Sequence, residues 1–273
     1  MTNLEYIPMK KKILKNFLID EVYLEIPAEE IFNKIQLSNN TDTQDNISRK
    51  KYTDPIDESN YSRFLSYGYK TIRKNALCPG TLSLERHRLL WLYLKKETNF
   101  LNSNLKVLHV APEQVFYKKF KKLKNWDYLT FDLNSPIADI KGDLTSMDFN
   151  DESFDLIICN HVLEHIEDDK SALNEIYRVL KYNGISFLQV PINIKRDKTF
   201  EDPSIKSEVE REEYYGQYDH VREYGLDFKD RVEQAGFKVE MLNYTAKISK
   251  DLIVKYGLMR NDLIPIGRKL PSN

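Results

Sequence analysis

Beyond residue 60, short runs of apolar residues alternate with longer stretches whose apolar positions recur at helical spacing. Residues 84–96 predict a strongly apolar helix, and 106–110 a short strand. Residues 113–123 follow as a helix with Val115, Phe116, Phe120 and Leu123 on one side. Further strands are expected at 128–131, 154–159, 185–190 and 238–244. Amphipathic helices are expected at 172–180 and 227–235. Lys181-Tyr182-Asn183-Gly184 is a turn, with glycine just past a helix end. Brief apolar strands alternating with helices of about ten residues predict an α/β fold, a parallel sheet with helices on both faces. Residues 36–60, by contrast, are polar and carry almost no large aliphatic side chains, so they are expected to form a linker or a mobile loop. The chain divides into an N-terminal extension and polar linker (1–60), a helical lead-in (61–105) and a core (106–273) with an inserted lid at about 191–226.

Composition narrows the classes. The 273 residues carry 41 Lys+Arg against 42 Asp+Glu, a net charge of −1, which excludes nucleic-acid binding through a broad basic field. Lys118, Lys119, Lys121, Lys122 and Lys124 fall on one predicted helix and read as its solvated face. Two cysteines exclude a disulfide scaffold and a four-cysteine zinc site. No apolar run approaches the roughly 18–20 residues of a membrane helix. The first fifteen residues lack the features of a signal peptide, so a cytoplasmic protein is expected.

Parallel sheets bind ligands at the carboxyl ends of their strands, near the point where strand order reverses. Asp132, Asp143, Asn160 and His161 fall at such ends. A carboxylate after the second strand can accept hydrogen bonds from both hydroxyls of a ribose. Four segments carry a resemblance: Val107-Leu108-His109-Val110-Ala111-Pro112-Glu113, Phe131-Asp132-Leu133, Gly142-Asp143-Leu144-Thr145, and 153–166. The last contains Leu156-Ile157-Ile158-Cys159-Asn160-His161-Val162-Leu163-Glu164-His165. With Arg178-Val179-Leu180-Lys181-Tyr182-Asn183-Gly184 they resemble the class I S-adenosylmethionine-dependent methyltransferases, type 11-like. The resemblance covers roughly residues 84–269. It implies a Rossmann-like, doubly wound, mostly parallel seven-stranded sheet and S-adenosylmethionine as cofactor. It further implies that Asp132 and Leu133 meet the ribose, that Asp143 and the backbone of Leu144 meet the adenine, and that Asn160 and His161 line the opening toward the acceptor.

The first loop departs from this family. An acidic residue followed by G-x-G-x-G is usual there, because missing side chains let backbone N–H groups approach the cofactor. Here His109 stands in the acid's place, and Ala111 and Glu113 in those of the first two glycines. Glu113 either accepts from the cofactor's ammonium group or is simply the favoured acidic residue at a helix start. Cys78-Pro79-Gly80-Thr81 is similar to a C-P-x-C segment of relatives with its second cysteine lost, so no metal ligands are expected. Arg86, His87 and Arg88 after it either face the cleft or anchor the lead-in helix. His161-x-x-Glu164-His165 matches an inverted zinc-protease motif, which requires both histidines on one helix face.

The lid carries Tyr218-Asp219-His220-Val221-Arg222-Glu223-Tyr224-Gly225. His220 is expected either to take a proton from the acceptor, oriented by Asp219, or to fasten the lid; His161 is the competing base. Tyr218, Arg222 and Tyr224 are expected to contact the acceptor. The expected activity is methyl transfer to an O or N nucleophile of a small molecule or peptide. The alternatives are a non-catalytic binding protein of the same fold and a zinc hydrolase. Oligomeric state is not legible in the sequence.

Overall fold

The computed structural model describes residues 51–68 and 70–271, so the expectations for residues 1–50 lie outside the described residues. The described chain opens with two small antiparallel pairs, β1 (Tyr52–Thr53) with β2 (Asn60–Tyr61) and β3 (Leu65–Tyr67) with β4 (Arg73–Leu77). This corrects the expected linker over 51–60 and the purely helical lead-in. Buried Asp54 organises the segment: its carboxylate accepts from Ile56 N at 2.8 Å, from Ser83 Oγ at 2.7 Å, and from Thr81 Oγ1. Polar side chains thus hold a fold that apolar periodicity does not reveal. Helix α1 (Glu85–Glu97) follows.

The core runs β5 (Leu105–Val110), α2 (Gln114–Phe120), β6 (Trp126–Asp132), β7 (Ile140–Lys141), β8 (Phe154–Cys159), α3 (Asp169–Val179) and β9 (Leu180–Phe187). It continues with α4 (Glu208–Tyr215), α5 (Phe228–Gln234), β10 (Lys238–Leu242), α6 (Lys250–Lys255) and β11 (Ile264–Arg268). The seven-stranded sheet has the order β10-β11-β9-β8-β5-β6-β7, parallel except where β11 inserts antiparallel between β9 and β10. The fold is the expected Rossmann-like, doubly wound sheet. Strand β11 and helices α4 and α6 were not read from the sequence.

Side-chain alternation along the strands separates two apolar layers. Val107, Leu156 and Ile158 pack with α1 and α2 through Leu90, Trp91, Phe116 and Phe120. Leu108, Ile157 and Cys159 pack with α3 and α5 through Leu173, Ile176, Phe228 and Val232. The turn expected at 181–184 sits within β9. Phe154 pairs with Leu180 and Leu156 with Ile185, so the intervening residues bulge, with Asn183 at φ +63°. From β5 the chain moves outward through β6 to β7, then returns to β8 on the other side of β5. The carboxyl ends of β5 and β8 therefore flank the reversal of strand order.

Candidate active site

Above those strand ends lies a cavity of about 1200 Å³. Its floor is Ala111–Val115, Asp132, Asn160 and His161, and one wall is Glu85–His87 at the start of α1. The roof is 214–220 of the lid, with Met259–Leu263 completing the rim. Single-ligand pockets typically span roughly 300–1,000 Å³, so there is room for a cofactor together with an acceptor.

Glu113 occupies the N-cap position of α2, yet its side chain makes no capping bond and turns into the protein, 8% exposed. Its Oε1 accepts from His87 Nε2 at 2.6 Å and its Oε2 from Asn160 Nδ2 at 3.1 Å. Arg86 Nε lies 3.8 Å away and His109 Nε2 3.9 Å away. His87 Nδ1 accepts from the Leu84 N–H at 3.0 Å, so its ring proton sits on Nε2, facing Glu113. Burial alone would raise the Glu113 carboxyl. The hydrogen bond from His87, with the Arg86 guanidinium nearby, holds the group well below the usual carboxylate range. The result is a buried carboxylate at the point where the sheet reverses. Beside it, Asn160 Oδ1 is buried with no hydrogen-bond partner. An acceptor so placed suits a donor ligand such as an ammonium group.

Ala111 has φ +46°, a left-handed conformation that glycine adopts without steric cost. Asp132 Oδ1 accepts from the N–H groups of Asn134 (2.7 Å) and Ser135 (2.6 Å), which aims the carboxylate and leaves Oδ2 for a ligand.

Other expected residues are placed differently. His109 is fully buried, because its parity on β5 points it with Val107 toward α2; its Nδ1 meets Tyr128 Oη at 2.7 Å. Burial pushes its pKa down to about 4. It backs Glu113 and does not line the cavity. Asp143 faces solvent, its Oδ1 accepting from Thr145 N and Oγ1 at 2.8 Å each, while Leu144 packs into the second apolar layer. Leu133 is 61% exposed. None of these three lines the cavity.

In the lid, Tyr224 is fully buried and donates to Asp169 Oδ2 at 2.6 Å, so it does not reach an acceptor. Arg222 borders the cavity, but its guanidinium is committed to the carbonyls of Leu163 (3.0 Å), Ile166 and Glu167 (2.8 Å) and to Glu201 Oε2 (2.9 Å). The fastening role is the one built, and it replaces the expected acceptor contact. Tyr218 does line the cavity. Asp219 does not orient His220; its Oδ2 lies 3.3 Å from His165 Nδ1. Burial would lower the His165 pKa, but the Asp219 hydrogen bond and the charge of Glu164 outweigh it and raise the value. His220 is held below its ordinary pKa by burial, and its Nδ1 lies 3.3 Å from the Tyr215 carbonyl. His161, at φ +53°, places Nδ1 3.0 Å from Glu164 Oε1. Only Leu163–His165 form a short 3-10 turn, so His161 and His165 share no helix face and the inverted zinc-protease arrangement is not formed.

Sequence reasoning left Arg86, His87 and Arg88 between two roles, and the structure divides them. Arg86 and His87 face the cavity, whereas fully buried Arg88 donates to the carbonyls of Ala76, Ser83, Tyr256 and Gly257. Glu164 and Asp262 were missed as cavity residues. Burial, with Glu85 nearby, pushes the Asp262 carboxyl up to about 7. Helix α4 was legible after all: Ser207 and Glu210 form a capping box, and Gly216 at φ +89° ends the helix.

Residues 96–188 match the family model of the methyltransferase domain. The resemblance to type 11-like methyltransferases therefore stands over β5–β9, five of the seven strands of the sheet. Among curated proteins, the demethylmenaquinone methyltransferase of Chlamydia caviae is 40% identical over 108 residues, covering 40% of this chain and 39% of that protein. The uncharacterised methyltransferase YcgJ of Bacillus subtilis is 32% identical over 116 residues, 42% of each chain. The chain thus spans about two fifths of the length of these relatives. The crystal structure of YcgJ superimposes with a TM-score of 0.44 at 17% identity, covering 68% of this chain and all of that one. Among the described residues, no helix of the methyltransferase-like chain is long and apolar enough to cross a membrane.

Proposed function

We propose that this chain is an S-adenosylmethionine-dependent methyltransferase acting on an O or N nucleophile of a small molecule or peptide. The observation that carries the reading is the buried Glu113 carboxylate beside the unpartnered Asn160 Oδ1, at the reversal point of the sheet and within the matched segment. Glu113 and Asn160 together accept from the cofactor's ammonium group, taking over from the backbone contacts of the missing glycines. Asp132 Oδ2 takes the ribose hydroxyls. The adenine end extends past the cavity walls toward Leu133, Asp143 and Leu144. Bound there, S-adenosylmethionine supplies a methyl group on a sulfonium that is already a good leaving group.

The remaining task of the protein is alignment and the removal of one proton. His161 is favoured over His220 as the base. It stands at the β8 end beside the floor, and the buried Glu164 carboxylate orients its ring, as the third member of a catalytic triad orients its histidine. Its left-handed backbone is the kind of strain found at functional positions. Tyr218 and the lid close over the acceptor and exclude water.

Calorimetry with S-adenosylmethionine and its demethylated product tests the reading; binding of either is expected. No binding at millimolar ligand would instead favour a binding protein that kept the fold and lost the cofactor, the alternative that the glycine-poor loop motivates. In single-turnover assays, His161→Ala is expected to slow methyl transfer by about 10²–10⁴-fold with cofactor affinity nearly intact. A wild-type rate in that variant, with a slow His220→Ala, transfers the role to the lid histidine.

A further inference from the structure

One group of side chains lies outside the floor and shares with the proposed base only Glu164, whose Oε1 meets His161. Glu164 and His165 come from the turn after β8, and His220 comes from the lid beyond α4. One ligand atom from each lies within 4.8 Å of the others. All three border the cavity.

Each member is prepared as a ligand. Glu164 is 1% exposed; its Oε1 meets His161, and its Oε2 is buried with no hydrogen-bond partner. A buried carboxylate oxygen without a donor calls for a cation. His165 turns Nδ1 to Asp219 Oδ2, and His220 turns Nδ1 to the Tyr215 carbonyl, each at 3.3 Å. With Nδ1 donating, Nε2 carries the lone pair. Carboxylate and carbonyl partners of this kind are what orient metal-binding imidazoles and fix their tautomers. The two rings stand edge to face with centroids 4.8 Å apart.

We propose that Glu164, His165 and His220 form a binding site for a divalent transition metal, Zn²⁺ in type, whose open coordination position faces the cavity. Two imidazoles and one carboxylate are a borderline donor set suited to zinc. Three protein ligands with one position left open form the pattern of sites that act on a bound molecule rather than merely hold the fold. Ligand atoms around tetrahedral zinc lie roughly 3.3–3.5 Å apart, so side-chain rotation has to draw them closer by at most about 1.5 Å. The set differs from the one suggested by the His161-x-x-Glu164-His165 motif. Glu164 is a ligand rather than a base, and the lid supplies the third group. The site also departs from the expectation that this chain holds no metal. An ion here ties the lid to the turn beside the floor, and its open position takes an oxygen or nitrogen of a molecule in the cavity.

The test uses Zn²⁺ alone, with no cofactor, so its outcome is independent of the methyl-transfer reading. Full-length, tag-free protein is stripped with a chelator, dialysed and titrated with ZnCl₂ by calorimetry. Co²⁺ is titrated in parallel to read the visible absorption of a tetrahedral N/O site. One equivalent of tight binding is expected. His165→Ala and His220→Ala should each weaken it by at least about 100-fold, and Asp219→Asn by about 10–100-fold through its hold on His165. Circular dichroism reports folding of each variant; if His220→Ala does not fold, His220→Asn replaces it. Absence of binding at a hundred-micromolar metal overturns the proposal, as does undiminished binding in both histidine variants.

Discussion

The floor and the lid of the cavity are built by different means. On the floor, backbone pairing does the placing: Val110 pairs with Cys159 in parallel register, which sets Ala111 beside Asn160 and brings Glu113 within reach. In the lid, side chains do it. Arg222 reaches three carbonyls of 163–167, and Arg231 joins Asp169 at 2.9 Å and Glu201 at 2.8 Å. Its backbone adds no strand to the sheet; two isolated bridges, Ile192 with Tyr224 and Phe200 with Glu223, and scattered single hydrogen bonds, such as that from Val221 N–H to the Glu164 carbonyl at 2.9 Å, hold it. A register shared by seven strands cannot be altered by one substitution, whereas a clasp centred on one guanidinium can. The difference suits the proposed reading, a fixed cofactor seat under a roof that adapts to its acceptor.

If the contrast is right, the largest effect belongs to the clasp. Arg222→Ala leaves Glu201 and Asp169 short of a buried cation and takes a donor from three carbonyls, of which Leu163 keeps Tyr224 Oη at 3.2 Å, and should cost about 3–5 kcal/mol of stability. Chemical denaturation measures it; a loss under about 1 kcal/mol would show that the lid is held by packing alone. Asp132→Ala should leave stability nearly untouched and weaken cofactor binding by about 1–3 kcal/mol, the cost of unpaired ribose hydroxyls. Unchanged affinity in the folded variant would remove Asp132 from the seat.

A separate effect is a pH slope from behind the floor. His109 has a folded-state pKa of about 4 against an ordinary 6.5. On acidification the unfolded chain therefore takes up this proton first. The stability contributed by neutral His109 is fully present above pH 6.5 and is lost as pH falls toward 4. His109→Gln should flatten the dependence of Tm on pH within that window. An identical slope in both proteins would show that other groups carry it.

Much of the floor could be read in advance because it is local. Asp132, Asn160 and His161 each follow an apolar run whose length and flanking residues mark a strand, and strand ends are where such sheets bind ligands. His109 misled because a strand's two-residue alternation, not its family position, decides which face a side chain enters. The hairpins before α1 were missed because Asp54, Ser83 and Thr81 hold them by hydrogen bonds that leave no periodic trace. Strand β11 was missed because it is a short run broken by Pro265 and Gly267.

What primary structure settled was the alternation of elements, and with it the layered sheet and the positions of its strand ends. Those follow from side-chain periodicity and turn chemistry, which act over a few residues. Tertiary structure alone decided which charged groups meet. His87 lies 26 residues from Glu113, yet holds its proton against that carboxylate at 2.6 Å. Asp219 meets His165 instead of its neighbour His220, and His220 approaches Glu164 across 56 residues of chain. Coulombic and hydrogen-bond partners are chosen by distance in space, and the packing of lid on sheet sets that distance.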